Sequence, residues 1–182
     1  MTHNNLILKA MLGVLSLLFA ASAANADGFS AGVSAVRAPV SLEESGTLVD
    51  GDSSGWRVHG TYMFSKYFGV EGGLSKFGSP NDKSLPSNMH VETESYDVYA
   101  VVAYPMGDVA SLIAKAGYVS SNTETEVNDT NETTQTNSDL ALSFGGQYDM
   151  TEQFAIRAEM EWFDSALSGE LKYTLGGVIR FK

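Results

Sequence analysis

Four ionisable residues, Glu71, Lys115, Arg157 and Glu159, stand out in a chain that otherwise offers little obvious chemistry. Gathered away from water, carboxylates and cations of this kind can form an ion path or gate, or they can lock into a structural salt-bridge core. Histidine chemistry is sparser: after His3 the chain has only His59 and His90. A hydrolase would need a Ser or comparable nucleophile beside such a base, and no Ser–His arrangement can be assembled from these positions. His59 is read as a hydrogen-bonding residue of an inner face, and His90 as a loop residue. No catalytic residue is expected.

Metal and modification motifs fare no better. Asp50-Gly51-Asp52-Ser53-Ser54-Gly55 opens like a calcium-binding loop, but the twelfth position, which should be a bidentate Glu, is Thr61. Asn128-Asp129-Thr130 and Asn131-Glu132-Thr133 fit a glycosylation pattern and are read as compositional. The sequence has 0 Cys, which excludes disulfides and thiolate metal sites. Neither a metal nor a cofactor is expected. With 22 acidic against 11 basic residues the formal charge is −11, which repels nucleic acid.

The elements that must position these residues begin after an address. Lys9 precedes a short apolar run, AMLGVLSLLFAA, and Ala24-Asn25-Ala26 supplies a small-x-small exit. That is a secretory signal peptide over residues 1–26, too short in its apolar part for a spanning helix, which needs roughly 20 residues. The domain then runs over residues 27–182.

Along that domain the polarity alternates with a period of two, as expected when successive side chains of a strand face opposite sides. Leu171, Tyr173, Leu175, Gly177, Ile179 and Phe181 share one face of a last strand, with Lys172, Thr174, Gly176, Val178 and Arg180 on the other. The same pattern sets Phe154, Ile156, Ala158, Met160 and Trp162 against Arg157, Glu159 and Glu161. It also sets Trp56, Val58, Gly60 and Tyr62 against Arg57, His59 and Thr61. Softer alternations at 29–36, 68–75, 96–104 and 111–120, with 140–148, bring the count to eight. Tight polar connections at 64–67, 104–108 and 148–152 alternate with longer polar segments at 38–54, 78–91, 121–138 and 164–169. The segment 122–137, rich in Thr, Asn and Glu, is read as a solvated, mobile loop.

Short turns on one rim and long connections on the other are the pattern of a transmembrane barrel. The facing agrees: Glu71, Lys115, Arg157, Glu159, Glu161, Lys172 and Arg180 would line a lumen that eight strands leave just wide enough for side chains. Ile156 is read as a lipid-facing midplane position. Trp56, Tyr62, Tyr104, Tyr118, Tyr148, Trp162, Tyr173 and Phe181 fall near strand ends, where aromatic girdles sit at headgroup level. The fold expected is all-β, an eight-stranded antiparallel up-and-down transmembrane β-barrel in a bacterial outer membrane.

Phe68-Gly69-Val70-Glu71-Gly72-Gly73 and Ala114-Lys115-Ala116-Gly117-Tyr118 resemble strands of the OmpA-like transmembrane barrel superfamily, in its small OmpX/Ail form. The ending Leu175-Gly176-Gly177-Val178-Ile179-Arg180-Phe181 is similar to the terminal signal read by the barrel-assembly machinery, although Lys182 follows the aromatic residue. The resemblance implies an integral outer-membrane protein without the peptidoglycan-binding domain of the two-domain members.

The leading expectation is therefore a non-enzymatic envelope scaffold with surface-exposed loops, serving adhesion or surface interaction. Its partners would be outer-membrane lipids and lipopolysaccharide, the assembly machinery, and a host or phage surface. Two alternatives stay open. One is a lipid- or small-solute-handling barrel, as a narrow channel or an enzyme on lipid A or phospholipid. The other is a secreted soluble barrel binding an apolar ligand.

Overall fold

The computed structural model describes residues 28–44, 47–78, 89–127, 131–163 and 171–181. Residues 1–26, read from the sequence as a signal peptide, lie outside them. Eight strands follow in chain order: β1 Gly28–Glu44, β2 Thr47–Met63, β3 Phe68–Phe77, β4 Met89–Pro105, β5 Ala110–Val127, β6 Asn131–Asp149, β7 Phe154–Phe163 and β8 Leu171–Phe181. Each pairs antiparallel with its sequence neighbours, and β1 closes on β8 from Phe29↔Phe181 to Arg37↔Tyr173. The sheet is a closed barrel, so its membrane-level backbone groups pair around the ring, as hydrocarbon requires.

The tight turns have local causes. Ser65 Oγ accepts hydrogen bonds from the backbone N–H groups of Tyr67 and Phe68 at 3.2 and 3.0 Å. Thr151 Oγ1 does the same for Gln153 and Phe154 at 3.3 and 3.0 Å. In both, a hydroxyl stands in for a backbone acceptor and reverses the chain. The third turn uses Gly107, whose φ of 84° lies in the left-handed region open to glycine.

Polarity is inverted relative to a water-soluble barrel. Val33 is 58% exposed and Leu175 60%, while Arg57, Glu71, Glu161 and Lys172 are at most 2% exposed. Over the described membrane-level residues the outer faces are mostly apolar or aromatic, while the inner faces hold the ionic side chains among small and apolar ones.

The longer connections differ from the sequence reading. Segment 38–54 is largely paired strand, with β1 and β2 in register from Arg37↔Ser54 to Glu44↔Thr47. Segment 121–138 is paired likewise, β5 against β6 from Ser121↔Asn137 to Val127↔Asn131, where a mobile loop was expected. In 121–138 every residue but Val127 is polar, so no alternation marks the segment, while its Thr content still favours extended backbone. His90 also lies within β4, opposite Glu126, and not in a loop. Asp50 to Gly55, the calcium-loop look-alike, forms part of β2.

Strand length therefore sorts into two classes. β3, β7 and β8 have 10, 10 and 11 residues, about the length that crosses a membrane when tilted. The other five have 17 to 19 and continue past the girdle as two ribbons, β1–β2 and β4–β5–β6.

Candidate functional site: the ionic interior

Alternation on β3 points Glu71 inward, where Arg57 from the neighbouring β2 and Lys115 and Arg157 from β5 and β7 across the lumen meet its carboxylate. Glu71 Oε1 lies 3.0 Å from Arg57 Nη2 and 2.8 Å from Lys115 Nζ, and Oε2 lies 2.6 Å from Arg157 Nη1. Thr61 Oγ1 donates a further hydrogen bond to Oε2 at 2.7 Å. Lys115 Nζ also reaches Glu159, 2.9 Å from Oε1. The four residues named from sequence thus stand together: Glu71 contacts Lys115 and Arg157, and Lys115 contacts Glu159.

Further partners lie outside that set of four, and of these Asp97, Tyr99, Gln147 and Asp149 were not expected from the sequence. Arg57 grips Asp97 through Nε–H to Oδ2 at 2.8 Å and Nη2–H to Oδ1 at 2.6 Å. Tyr99 OH donates to Glu161 Oε1 at 2.6 Å, and Lys172 Nζ lies 2.7 Å from the same oxygen. The Tyr99 ring carries Lys115 Nζ at 4.9 Å and the Arg57 guanidinium at 5.9 Å from its centroid. Arg157 gives two further N–H groups to Gln147 Oε1, at 3.1 Å from Nε and 3.0 Å from Nη2. Gln147 leads on to Asp149, which pairs with Arg180 near the turn-side rim. Arg57 was visible on an alternating face; Asp97 and Tyr99 sit in a run whose two faces are both largely apolar, which hides their direction.

The buried charges balance. Arg57, Lys115, Arg157 and Lys172 stand against Glu71, Asp97, Glu159 and Glu161, all at most 6% exposed. Unpaired charges in such a setting would be prohibitive, and the mutual pairing makes the interior neutral. The −11 of the whole chain is therefore carried elsewhere.

Small residues make room for these long side chains. A Cβ on Gly73 would lie 2.7 Å from both Arg57 Nη2 and Asp97 Oδ1. His59 packs in the same way over Gly32, 5% exposed, and among the described residues neither of its ring nitrogens has a hydrogen-bond partner. At the turn-side end the lumen holds a cavity of about 180 Å³, lined in part by Ser30, Thr61, Ser111, Gln147, Arg157 and Arg180. Among the described residues no group of three His, Asp or Glu side chains is placed to hold a metal ion.

The aromatic residues named from sequence separate into two sets along the strand axis. Trp56, Tyr118, Trp162 and Tyr173 lie toward the ribbons, and Tyr62, Tyr104, Tyr148 and Phe181 toward the tight turns. All face outward, from half-buried Tyr62 to Tyr104 at 64% exposed. Tyr173 and Phe181 are about 27 Å apart along β8, or roughly 20 Å in height after a tilt of ~40°. That is close to the apolar band of an outer-membrane barrel.

Residues 9–174 match the model of a family described as an outer membrane protein beta-barrel domain. No curated protein sequence matches. Among solved structures the chain is similar to Ail, the attachment invasion locus protein of Yersinia pestis, with 20% identity, TM-score 0.59, and 85% of this chain and 99% of that one covered. Ail has also been solved in complex with the heparin analogue sucrose octasulfate. Neisserial surface protein A aligns over 87% of this chain and 100% of its own, at 13% identity and TM-score 0.67. The N-terminal barrel of Pseudomonas aeruginosa OprF aligns over 84% and 97%, at 19% identity and TM-score 0.55.

Proposed function

The chain belongs to the outer membrane protein beta-barrel domain family, and from that premise we propose that it is a non-enzymatic envelope scaffold whose ribbons engage partners at the cell surface. It resides in the bacterial outer membrane. The observation that carries the reading is the contrast between a neutral, filled interior and strands that continue far past the girdle. A lumen occupied by paired side chains favours a scaffold over a channel. Recognition usually lives on the elements that a rigid frame holds out into solvent.

The ribbons also suggest what kind of partner they take. Beyond Ala141↔Phe163, β6 runs on to Asn131 and, among the described residues, pairs there with β5 alone. An edge of this kind is open to an added strand, with backbone hydrogen bonds for affinity. The ribbon sequences include Glu43, Glu44, Asp50, Asp52, Glu124, Glu126, Glu132 and Asp139, and there is no Lys or Arg in 38–54 or 121–139. Charge complementarity therefore favours a basic partner. A sulfated polyanion of the type bound to Ail would be repelled by these ribbons.

Cells displaying the chain are compared with cells displaying a variant in which 122–137 is replaced by Asn-Gly. Binding to immobilised basic host-surface proteins should fall in the variant while the barrel remains folded. Equal binding by both would refute the ribbon as the recognition element.

A further inference from the structure

The filling of the lumen stops short at the turn-side end. The first inward positions there include Ser30 on β1, Ala103 on β4 and Ser111 on β5, all too short to meet across the barrel. The cavity of about 180 Å³ that they leave has two unlike sides. Met63 from β2, Val101 and Ala103 from β4 and Ile113 from β5 make one wall apolar. Across from them stand Arg157 from β7 and Arg180 from β8. Lys66, in the turn after β2, adds a third cation, and among the described residues no Asp or Glu lines the cavity. This is a cationic pocket in a chain of net charge −11.

The carboxylates that neutralise the two arginines are set outside the wall. Arg157 Nη1 lies 2.6 Å from Glu71 Oε2 and Arg180 pairs with Asp149, and neither acid is a lining residue. N–H groups therefore meet whatever enters. Glu71 takes one N–H of Arg157 Nη1, and Gln147 takes one each from Nε and Nη2. Each terminal nitrogen carries a second N–H, and a planar carboxylate can take two such donors in parallel.

Register sets the depth. Arg180 is the partner of Ser30, at the mouth, and Arg157 is the partner of Gly176, four residues further in along β8. Beyond Arg157 the lumen is closed by Glu71 with Arg57 and Lys115 on its carboxylate. The cavity is thus a dead end that opens on the turn side, which by the short-turn rule is periplasmic. An apolar cavity of about 150 Å³ admits benzene, so this one suits a molecule of about seven to ten non-hydrogen atoms.

We propose that the cavity is a binding site for a small amphiphilic carboxylate taken from the periplasm, its charge on Arg157 and Arg180 and its apolar body against Met63, Val101 and Ile113. Selectivity needs both ends. A neutral molecule of the same shape leaves buried N–H groups unpaired, and a very short carboxylate leaves the apolar wall wet. The site holds its ligand and does not pass it on, and it stands at the opposite end of the barrel from the ribbons.

Benzoate is the probe, set against benzyl alcohol, which has the ring without the charge, and acetate, which has the charge without the ring. The full chain is labelled with ¹⁵N and refolded in detergent micelles. Backbone amide shifts are followed at Ala103, Ile113 and Arg180 in the cavity and at Val33 and Leu175 on the outer wall. Heat-modifiable gel mobility confirms that each variant is folded. Benzoate should shift the cavity amides saturably, with an affinity at least tenfold above that of benzyl alcohol or acetate. Arg180→Gln should weaken benzoate at least fivefold and Ala103→Leu, which fills the cavity, at least tenfold. Lys76→Gln, on the outer wall, should change nothing. Should Ala103→Leu fail to fold, Arg180→Gln at the mouth decides alone. Shifts that do not saturate, or that appear only at Val33 and Leu175, would overturn the proposal. Equal affinity for benzyl alcohol would also overturn it, by assigning the contact to the apolar wall alone. So would equal affinity for acetate, or unchanged benzoate binding in Arg180→Gln.

Discussion

Arg57 and Asp97 are joined by a two-pronged ion pair, Nε–H to Oδ2 at 2.8 Å and Nη2–H to Oδ1 at 2.6 Å, laid over the bare Cα of Gly73. The pair can lie flat there because β3 presents no side chain at that point. It ties β2 to β4 across β3, while the same guanidinium holds Glu71. Gly73→Ala would place a methyl 2.7 Å from both ends of the pair, whose guanidinium is also held by Glu71. A loss of about 1–3 kcal/mol is expected, the usual cost of overpacking, measured by denaturant unfolding in detergent micelles against the wild-type chain.

Much of this arrangement was legible in the sequence, for a physical reason. Wherever a strand has one face in lipid and the other in an ionic lumen, hydropathy alternates, and the facing of β7 and β8 could be read directly. Along 96–104 the signal fails because Tyr99 and Val101 put apolar surface on the lumen side as well, so Asp97 gave no direction. The 121–138 segment escaped for the opposite reason: an almost wholly polar sequence shows no period of two while the backbone stays extended. Ile156 was expected at midplane, but it pairs with Tyr148 of the turn-side girdle and so lies near the rim.

Glu71 carries the heaviest electrostatic duty, with Arg57, Lys115 and Arg157 all on its two oxygens. Glu71→Gln keeps the shape and removes the charge, leaving three cations around a neutral amide. A destabilisation of about 3–5 kcal/mol is expected, the range for breaking a buried ionic set from one side. Thr61→Val removes one neutral donor to the same carboxylate and should cost only about 1 kcal/mol. Similar losses for the two would show that the charge at Glu71 matters little.

The outer wall should be sensitive to depth. Val33 lies midway along β1 between Phe29 and Arg37 and is 58% exposed to the surroundings. Val33→Arg should cost roughly 2–4 kcal/mol, whereas Tyr173→Arg at the ribbon-side girdle should cost about 0–1 kcal/mol. Refolding yield into lipid vesicles, read by gel mobility before and after boiling, gives the order. A reversed order would mean that the membrane band has been placed at the wrong height.

The filled interior makes an electrical prediction. In planar bilayers the wild-type chain should give no steady current, because the lumen is occupied by Arg57, Tyr99, Glu71, Lys115 and Arg157. A steady conductance that changes in Glu71→Gln would instead make these residues the wall of a narrow channel.

The facing of the strands can be measured most directly on β6. The chain has 0 Cys, so single cysteines can be introduced one at a time from 140 to 148, each labelled with a fluorophore in reconstituted bilayers containing brominated lipid. Leu140, Leu142, Phe144 and Tyr148 point outward and Ala141, Ser143 and Gln147 inward. Lipid quenching should therefore rise and fall with every residue, strong at 142 and 144 and weak at 141 and 143. Uniform quenching, or strong quenching at 141 and 143 with little at 142 and 144, would contradict a barrel that turns its apolar side chains to lipid and encloses its charges.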